Sequence, residues 1–139
     1  MMQSGVYPLP TPEGAPDWSV SAAGTFTGAW QEDLEEMTAF ACQVRFLVGT
    51  PGNTVRVYLQ TSLDQGMTAF DVAVLQFDTI SRIAAFSVVQ TSVAPADEFD
   101  AGTQTEGIDL AVLGDRLRLK LVVDGAYTNT TLSARFIPR

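Results

Sequence analysis

Catalysis by this sequence would have to rest on carboxylates, because its 139 residues contain no histidine. That absence removes the commonest general base, the Ser-His-Asp and Cys-His arrangements and the favoured zinc ligand. Asp64, Asp71 and Asp78 recur every seven residues, but an odd separation along a strand places neighbours on opposite faces. They are therefore poor candidates for the facing carboxylate pair of a glycosidase. We expect no catalytic residue and interpret the chain as a non-enzymatic protein.

A long acidic segment near residue 100 is where the sequence could hold a cation. The stretch APADEFDAGTQTEG carries four carboxylates: Asp97, Glu98, Asp100 and Glu106. Calcium takes several oxygen ligands from one flexible segment, but the spacing here does not match the helix-loop-helix calcium pattern. We interpret the segment as a solvated loop whose charges keep the protein soluble, and we expect no metal and no cofactor.

Charge balance and cysteine count argue against several kinds of partner. Sixteen acidic residues outnumber eight basic ones, and the formal charge of −8 opposes binding to nucleic acid phosphates. The single cysteine, Cys42, forms no internal disulfide, so nothing requires an oxidising compartment. No apolar run approaches the roughly 20 residues that a membrane-spanning helix needs. We expect a soluble protein made in the cytoplasm, without direct nucleic-acid or membrane partners.

Alternation of apolar and polar residues dominates the chain after its first 17 residues, and this period predicts β-strands. About seven or eight such runs, with no convincing helix, favour an antiparallel β-sandwich or jelly roll. At this length the strands fit one domain, which we place at residues 18–139.

Two hairpins are predicted within this domain. The run 54–60, the loop SLDQGMT and the run 69–77 form the first, and a shift of the alternation near Val74 predicts a bulge there. Asp124-Gly125 is a strong turn signal and predicts a second hairpin that closes the chain.

Residues 1–17 contain four prolines and two glycines. Proline removes an amide donor and favours extended backbone, so we predict an extended N-terminal arm outside the β domain. Its apolar side chains Val6, Tyr7 and Leu9 would bind a neighbouring protein, and a disordered terminus is the alternative. An arm of this kind predicts that deletion of residues 2–16 leaves the thermal midpoint unchanged but weakens binding to the neighbour.

Three of the eight cations, Arg116, Arg118 and Lys120, alternate along one predicted strand and therefore share a face. In an acidic protein such a stripe could bind an acidic partner surface. The alternative is pairing with the acidic residues 32–36 of the same chain, where exposed pairs contribute only about 0 to 1 kcal/mol each.

The run VRVYLQTSLDQGMTAFDVAVLQF is followed later in the chain by LGDRLRLKLVVDGAYTNTTLSARF. Together these stretches resemble small structural proteins of tailed bacteriophages and related phage-like particles. In that family a strand ending in Q-T-S-x-D-x-G leads into D-[VI]-A, and a later G-D-R-x-R-[LV]-K strand turns at Gly-x-Tyr and ends in T-x-L. The matching residues are Gln60, Thr61, Ser62, Asp64, Gly66, Phe70, Asp71, Val72, Ala73, Gly114, Asp115, Arg116, Arg118, Leu119, Lys120, Gly125, Tyr127, Thr130 and Leu132.

The match covers about half of the chain, and residues 1–17 have no counterpart in it. Gln65 and Phe70 stand where the family often carries a second glycine and a tryptophan. The resemblance implies a β-sandwich scaffold in which Asp64 and Gly66 shape the turn and Phe70 anchors the returning strand.

The function that the resemblance implies is that of a capsid decoration protein located in the virion. Such a protein would form a homo-oligomer, with a trimer favoured, and would bind the major capsid protein or another virion protein on the outer surface of a phage head. The alternative is a tail, head-tail joining or fibre-associated component. A third hypothesis, from another class, is a carbohydrate-binding adhesion module that uses Trp18, Trp30 or Tyr58 as a platform.

Overall fold

The computed structural model describes residues 5–90, 106–108 and 112–139. Every regular element in these ranges is a β-strand, as the alternation predicts, and none of the described residues belongs to a helix that could cross a membrane. The strands in chain order are β1 (Tyr7–Pro8), β2 (Asp17–Val20), β3 (Gly24–Thr27), β4 (Ala39–Leu47), β5 (Thr54–Thr61), β6 (Phe70–Phe77), β7 (Arg82–Val89), β8 (Gly107–Ile108), β9 (Leu117–Asp124) and β10 (Thr130–Pro138).

The strands form two five-stranded sheets, and all of their pairings are antiparallel. Sheet A has the order β1-β10-β4-β7, with β2 on the same edge of β10 as β1. Sheet B has the order β3-β9-β5-β6-β8. The prediction of an all-β, antiparallel protein is confirmed for the described residues.

Buried side chains from both sheets belong to one hydrophobic core. Burial alternates strictly along β4, the period expected of a strand with one buried face. The ring of Phe46 on β4 lies 5.0 Å, centroid to centroid, from the ring of Phe77 on β6, so the two sheets contact each other here. Cys42 is part of this core, and burial raises the pKa of its thiol to about 12. The thiol is therefore protonated at neutral pH and inert.

The central hairpin is confirmed, because β5 pairs with β6 along its length. The register shifts between Leu59 and Gln60, where Val72 is the extra residue on β6. The predicted bulge near Val74 therefore lies two residues earlier than expected.

The predicted closing hairpin is wrong. β9 ends at Asp124 in sheet B and β10 begins at Thr130 in sheet A, so these strands pair with different neighbours. Gly125 has a φ of 84°, and the amide of Asn53 donates a hydrogen bond to the carbonyl of Asp124 at 3.0 Å. The Asp-Gly pair indicates a residue in the left-handed conformation. A turn between two sheets can require such a residue just as a hairpin does, so the signal does not distinguish the two.

The segment predicted to be an arm contributes β1 and the first residue of β2, Asp17, to the edge of sheet A. β1 and β2 pair in succession with β10, and the proposed boundary at residue 17 falls inside β2. Leu9 is fully buried, and the indole of Trp18 donates a hydrogen bond to the Leu9 carbonyl at 3.2 Å. From residue 5 onward, this segment therefore packs on its own domain.

Candidate functional site

The two stretches that carry the sequence motif meet at one end of sheet B, where residues 60–71 lie against residues 114–118. We call this region the motif junction. It forms because β5 pairs with β6 on one side and with β9 on the other, which brings distant parts of the chain together.

Thr61, the last residue of β5, links the two halves of the motif junction. Its hydroxyl donates a hydrogen bond to the carbonyl of Arg116 at 3.0 Å and accepts one from the amide of Gly114 at 2.8 Å. A Cβ atom on residue 114 would overlap the carbonyl oxygen of Ser62. Glycine is needed at this position because the two backbones approach too closely for a side chain.

The loop between β5 and β6 is held by its own polar groups. The hydroxyl of Ser62 donates to the Asp64 carboxylate at 2.9 Å and accepts from the Gly66 amide at 2.8 Å, while the amide of Thr68 donates to the same carboxylate oxygen at 2.7 Å. Gln65 and Gly66 adopt left-handed conformations, with φ of 61° and 93°. Asp64 and Gly66 therefore shape the turn, as the resemblance implies, and Gln65 occupies a position where a second glycine relieves strain.

The electrostatics of the loop follow from these contacts. Hydrogen bonds from the side chain and the backbone amide of Thr68 lower the pKa of Asp64, and Ser62 adds to the effect. The ordered loop presents Leu63 and Met67, whose exposed fractions are 61% and 88%. The tip of the hairpin therefore exposes apolar side chains to solvent and no reactive groups.

A polar network connects three strands behind this loop. The Gln60 amide donates to the Asp71 carboxylate at 2.8 Å and accepts from Nε of Arg118 at 2.8 Å. Gln60 and Asp71 are both fully buried. The guanidinium of Arg118 stacks over the ring of Trp30 at 4.3 Å, and Trp30 also lies against Gly66 of the loop. Buried polar groups that satisfy each other in this way stabilise a unique packing.

The three predicted cations have different surroundings. Arg116, whose side chain is only 12% exposed, contacts Asp115 at 2.9 Å and Glu32 at 3.0 Å, so pairing within the chain is observed for this residue. The hydrogen bond from Arg116 lowers the pKa of Asp115. Arg118 belongs to the polar network, and Lys120 is half-buried on β9. Partner binding by this stripe stays a prediction.

The three apolar residues of the N-terminal segment that were predicted to contact a partner also differ in their surroundings. Val6 is 62% exposed and lies on the outer face of sheet A. The ring of Tyr7 stacks on that of Phe136 at 5.5 Å, and Leu9 is inside the core. Of the three, Val6 is the side chain that a partner could reach without detaching the segment.

The carboxylates considered for catalysis have structural surroundings. Asp64 holds the loop and Asp71 is buried beside Gln60, whereas the Asp78 carboxylate accepts a hydrogen bond from the amide of Thr79 at 2.6 Å. No cluster of three or more acidic, cysteine or histidine side chains suited to a metal occurs in the described ranges.

Of the acidic segment near residue 100, Glu106 is described and pairs with Arg82 at 2.8 Å. The other three carboxylates, Asp97, Glu98 and Asp100, lie outside the described residues.

The aromatic residues considered as a sugar platform are mostly covered. Trp18 and Tyr58 are buried, and Trp30 is half-buried beneath Arg118. The role of Trp30 at the motif junction was not predicted from the sequence. Its position in an acidic stretch between strands carries no periodic signal that would connect it with Arg118.

A scan of protein-family models and a search of curated proteins both found no match to this chain. The resemblance to phage structural proteins therefore rests on the motif residues themselves. What the geometry adds is that the motif residues within 60–71 and 114–118 form one packed unit whose polar groups bind one another, whereas Gly125, Tyr127, Thr130 and Leu132 lie beyond the opposite end of β9.

Proposed function

We propose that this protein is a non-enzymatic structural component of a bacteriophage or phage-like particle and that it decorates the outer surface of the head. In this proposal the two sheets, which share one core, form a β-sandwich. The partner is the major capsid protein or another virion protein, the location is the virion, and the oligomer expected from the resemblance is a trimer.

The observation that carries the proposal is the internal use of the motif residues. Hydrogen bonds to neighbouring strands and to the segment that enters β9 engage the side chains of Thr61, Gln60 and Asp71. A catalytic site instead leaves nucleophiles, acids or bases aimed at a place where substrate can lie. A motif that builds a rigid loop and joins three strands supports a scaffolding role.

A surface for the partner is available on the outer face of sheet A. Its exposed apolar side chains are Val6, Leu47, Ile83 and Val89. An open groove of about 690 Å³ crosses this face between β7 and β10 and is bordered by Ala41, Ala85 and Ile137. Exposed apolar surface of this kind is typical of protein interaction sites. Contacts of modest area become effective when a symmetric shell repeats them many times.

Copy number in purified particles tests the proposal. Quantitative mass spectrometry against the major capsid protein should give on the order of hundreds of copies per particle if the protein decorates the head, because capsid symmetry repeats the site. About six or twelve copies would instead indicate the neck or tail, as ring symmetry requires. Absence of the protein from washed particles would contradict a virion role altogether.

A further inference from the structure

The second strand edge of sheet A is open in the described part of the chain. β7 is the last strand of this sheet, and no described strand pairs with its outer side. With eight residues it is the longest edge strand in the described ranges, since β1, β2, β3 and β8 have two to four. A long open edge is a template for pairing with another chain.

The hydrogen-bond pattern between β4 and β7 shows which backbone groups of β7 point to the open edge. The amide of Gln90 donates to the carbonyl of Thr38 at 2.8 Å, so residue 90 faces β4. In an antiparallel ladder the direction alternates, and the even-numbered residues of β7 therefore point their amide and carbonyl toward β4. The odd-numbered residues point theirs to the open side: Ile83, Ala85, Ser87 and Val89.

The sequence of this edge does not oppose association. Ile83–Val89 reads IAAFSVV and contains no charge, no proline and no glycine. Natural edges usually carry charges or prolines that block pairing. Ile83 and Val89 are 58% and 61% exposed, although both would gain from burial.

We propose that two copies of this chain associate by antiparallel pairing of their β7 edges about a twofold axis at Phe86, which joins two sheets A into one continuous sheet. This inference goes beyond the proposed function and does not depend on it, because the twofold contact concerns the free chain in solution, whereas the trimer expected from the resemblance concerns the particle. A twofold contact uses the same surface on both copies, so one open edge is sufficient.

Side-chain size selects the register. With the axis at Phe86, Ile83 lies opposite Val89 of the second copy, and Ala85 lies opposite its Ser87. Large apolar side chains then meet each other and small ones meet each other, which favours sheet pairing. An axis at Ala85 would instead oppose Ile83 to Ser87. The four odd-numbered residues form hydrogen-bonded pairs in the Phe86 register, as their orientation requires.

Charge placement agrees with this arrangement. Arg82 is the one charged residue of β7, and it is held by Glu106 at 2.8 Å and by the carbonyl of Gln76 at 3.0 Å. In the proposed register it lies opposite Gln90 of the second copy, so the two Arg82 side chains are at opposite ends of the interface. Each copy carries a charge of −8, so association should strengthen as salt screens the repulsion.

Sedimentation velocity on the full chain tests the association. From about 5 to 500 µM, a range that covers weak dimers, the mass should rise from 14.9 kDa toward twice that value. Ser87→Pro removes an amide that faces the open edge and leaves the β4 pairing intact, and Ile83→Lys adds a blocking charge. Each should weaken association at least about tenfold. Leu47→Lys, on the same face but on an internal strand, is the matched control and should change it little.

Disulfide cross-linking tests the register, and buried Cys42 does not interfere. Ala85→Cys mixed with Ser87→Cys should form a cross-linked pair under mild oxidation, because hydrogen-bonded partners lie about 5.5 Å apart at Cα, within disulfide range. Neither variant alone should cross-link efficiently. Efficient cross-linking of Ala85→Cys with itself would overturn the Phe86 register.

A protein that stays monomeric at every concentration would overturn the proposal. So would an oligomer that both Ser87→Pro and Ile83→Lys leave unchanged while each variant remains folded by circular dichroism. Neither result would bear on copy number in particles, so the failure of this inference is distinguishable from that of the proposed function.

Discussion

The hydroxyl oxygen of Thr61 lies 2.8 Å from the amide nitrogen of Gly114, so one hydrogen bond joins residues 53 positions apart in the chain. The same hydroxyl donates to the carbonyl of Arg116, and Thr61 is itself fully buried. One side chain therefore satisfies two backbone groups of the segment that enters β9. This contact joins the two halves of the motif, and the nearby Ser62 carbonyl accounts for glycine at residue 114.

Replacing Thr61 by valine tests that contact. Thr61→Val keeps the shape but leaves the Gly114 amide without its acceptor, and the free energy of unfolding should fall by about 1–3 kcal/mol. Thr131→Val, the same change at an exposed position of β10, is the matched control and should stay within about 0.5 kcal/mol. Urea unfolding gives both values. Equal small effects would mean that the hydroxyl contributes nothing at the motif junction.

Gly114→Ala should destabilise the same region by steric overlap. The added methyl group meets the Ser62 carbonyl, which is backbone and cannot move aside as a flexible side chain would. We expect a loss of about 1–3 kcal/mol, the usual effect of overpacking. Ala126→Ser adds one atom at an exposed position and serves as the control. A thermal midpoint equal to that of the wild type would show that the two backbones are not in contact.

The loop should weaken in acid because of Asp64. Its pKa is lowered in the folded protein, so the ionised carboxylate contributes stability above the unfolded pKa of about 4, and this contribution is lost as pH falls through the folded pKa. The stability difference between wild type and Asp64→Asn should therefore be largest near neutral pH and shrink below about pH 4. Met67→Leu does not titrate, so its difference should be constant with pH. A pH-independent difference for Asp64→Asn would contradict the assigned contacts.

The N-terminal segment should contribute to stability. Leu9→Ala removes a fully buried side chain and should reduce the free energy of unfolding by about 2–5 kcal/mol. Val6→Ala, at an exposed site, should change it by less than about 0.5 kcal/mol. Deletion of residues 2–16 should consequently lower the thermal midpoint, contrary to the expectation from sequence. A truncated protein with an unchanged midpoint would restore the interpretation of this segment as an arm.

Sequence alone predicted the strands well because alternation reports which face of a strand is buried. β5 and β6 begin and end close to their expected positions, and these two strands of the central hairpin are neighbours both in sequence and in space. The partners of β9 and β10 were not predictable in this way, since a turn signal such as Asp124-Gly125 fixes a local bend and not the sheet that the next strand joins.

The N-terminal segment also shows that local sequence signals do not reveal tertiary contacts. Four prolines predict an extended backbone, but the chain turns at residues 11–15, where the amide of Gly14 donates to the carbonyl of Thr11 at 2.9 Å. Proline content also does not determine what the side chains contact. Leu9 and Trp18 meet because both pack along the same edge of β10, and local composition carries no signal for this.

The contact of Trp30 with Arg118 also depends on tertiary packing. The resemblance therefore located the motif junction but did not identify every residue that forms it.

Cryo-electron microscopy of purified particles would locate this protein directly. We expect density that fits the two five-stranded sheets on the outer surface of the head, repeated at every equivalent position of the capsid lattice, with the outer face of sheet A in contact with a virion protein. Density for this chain on the tail alone, or no density at any symmetric position, would contradict it.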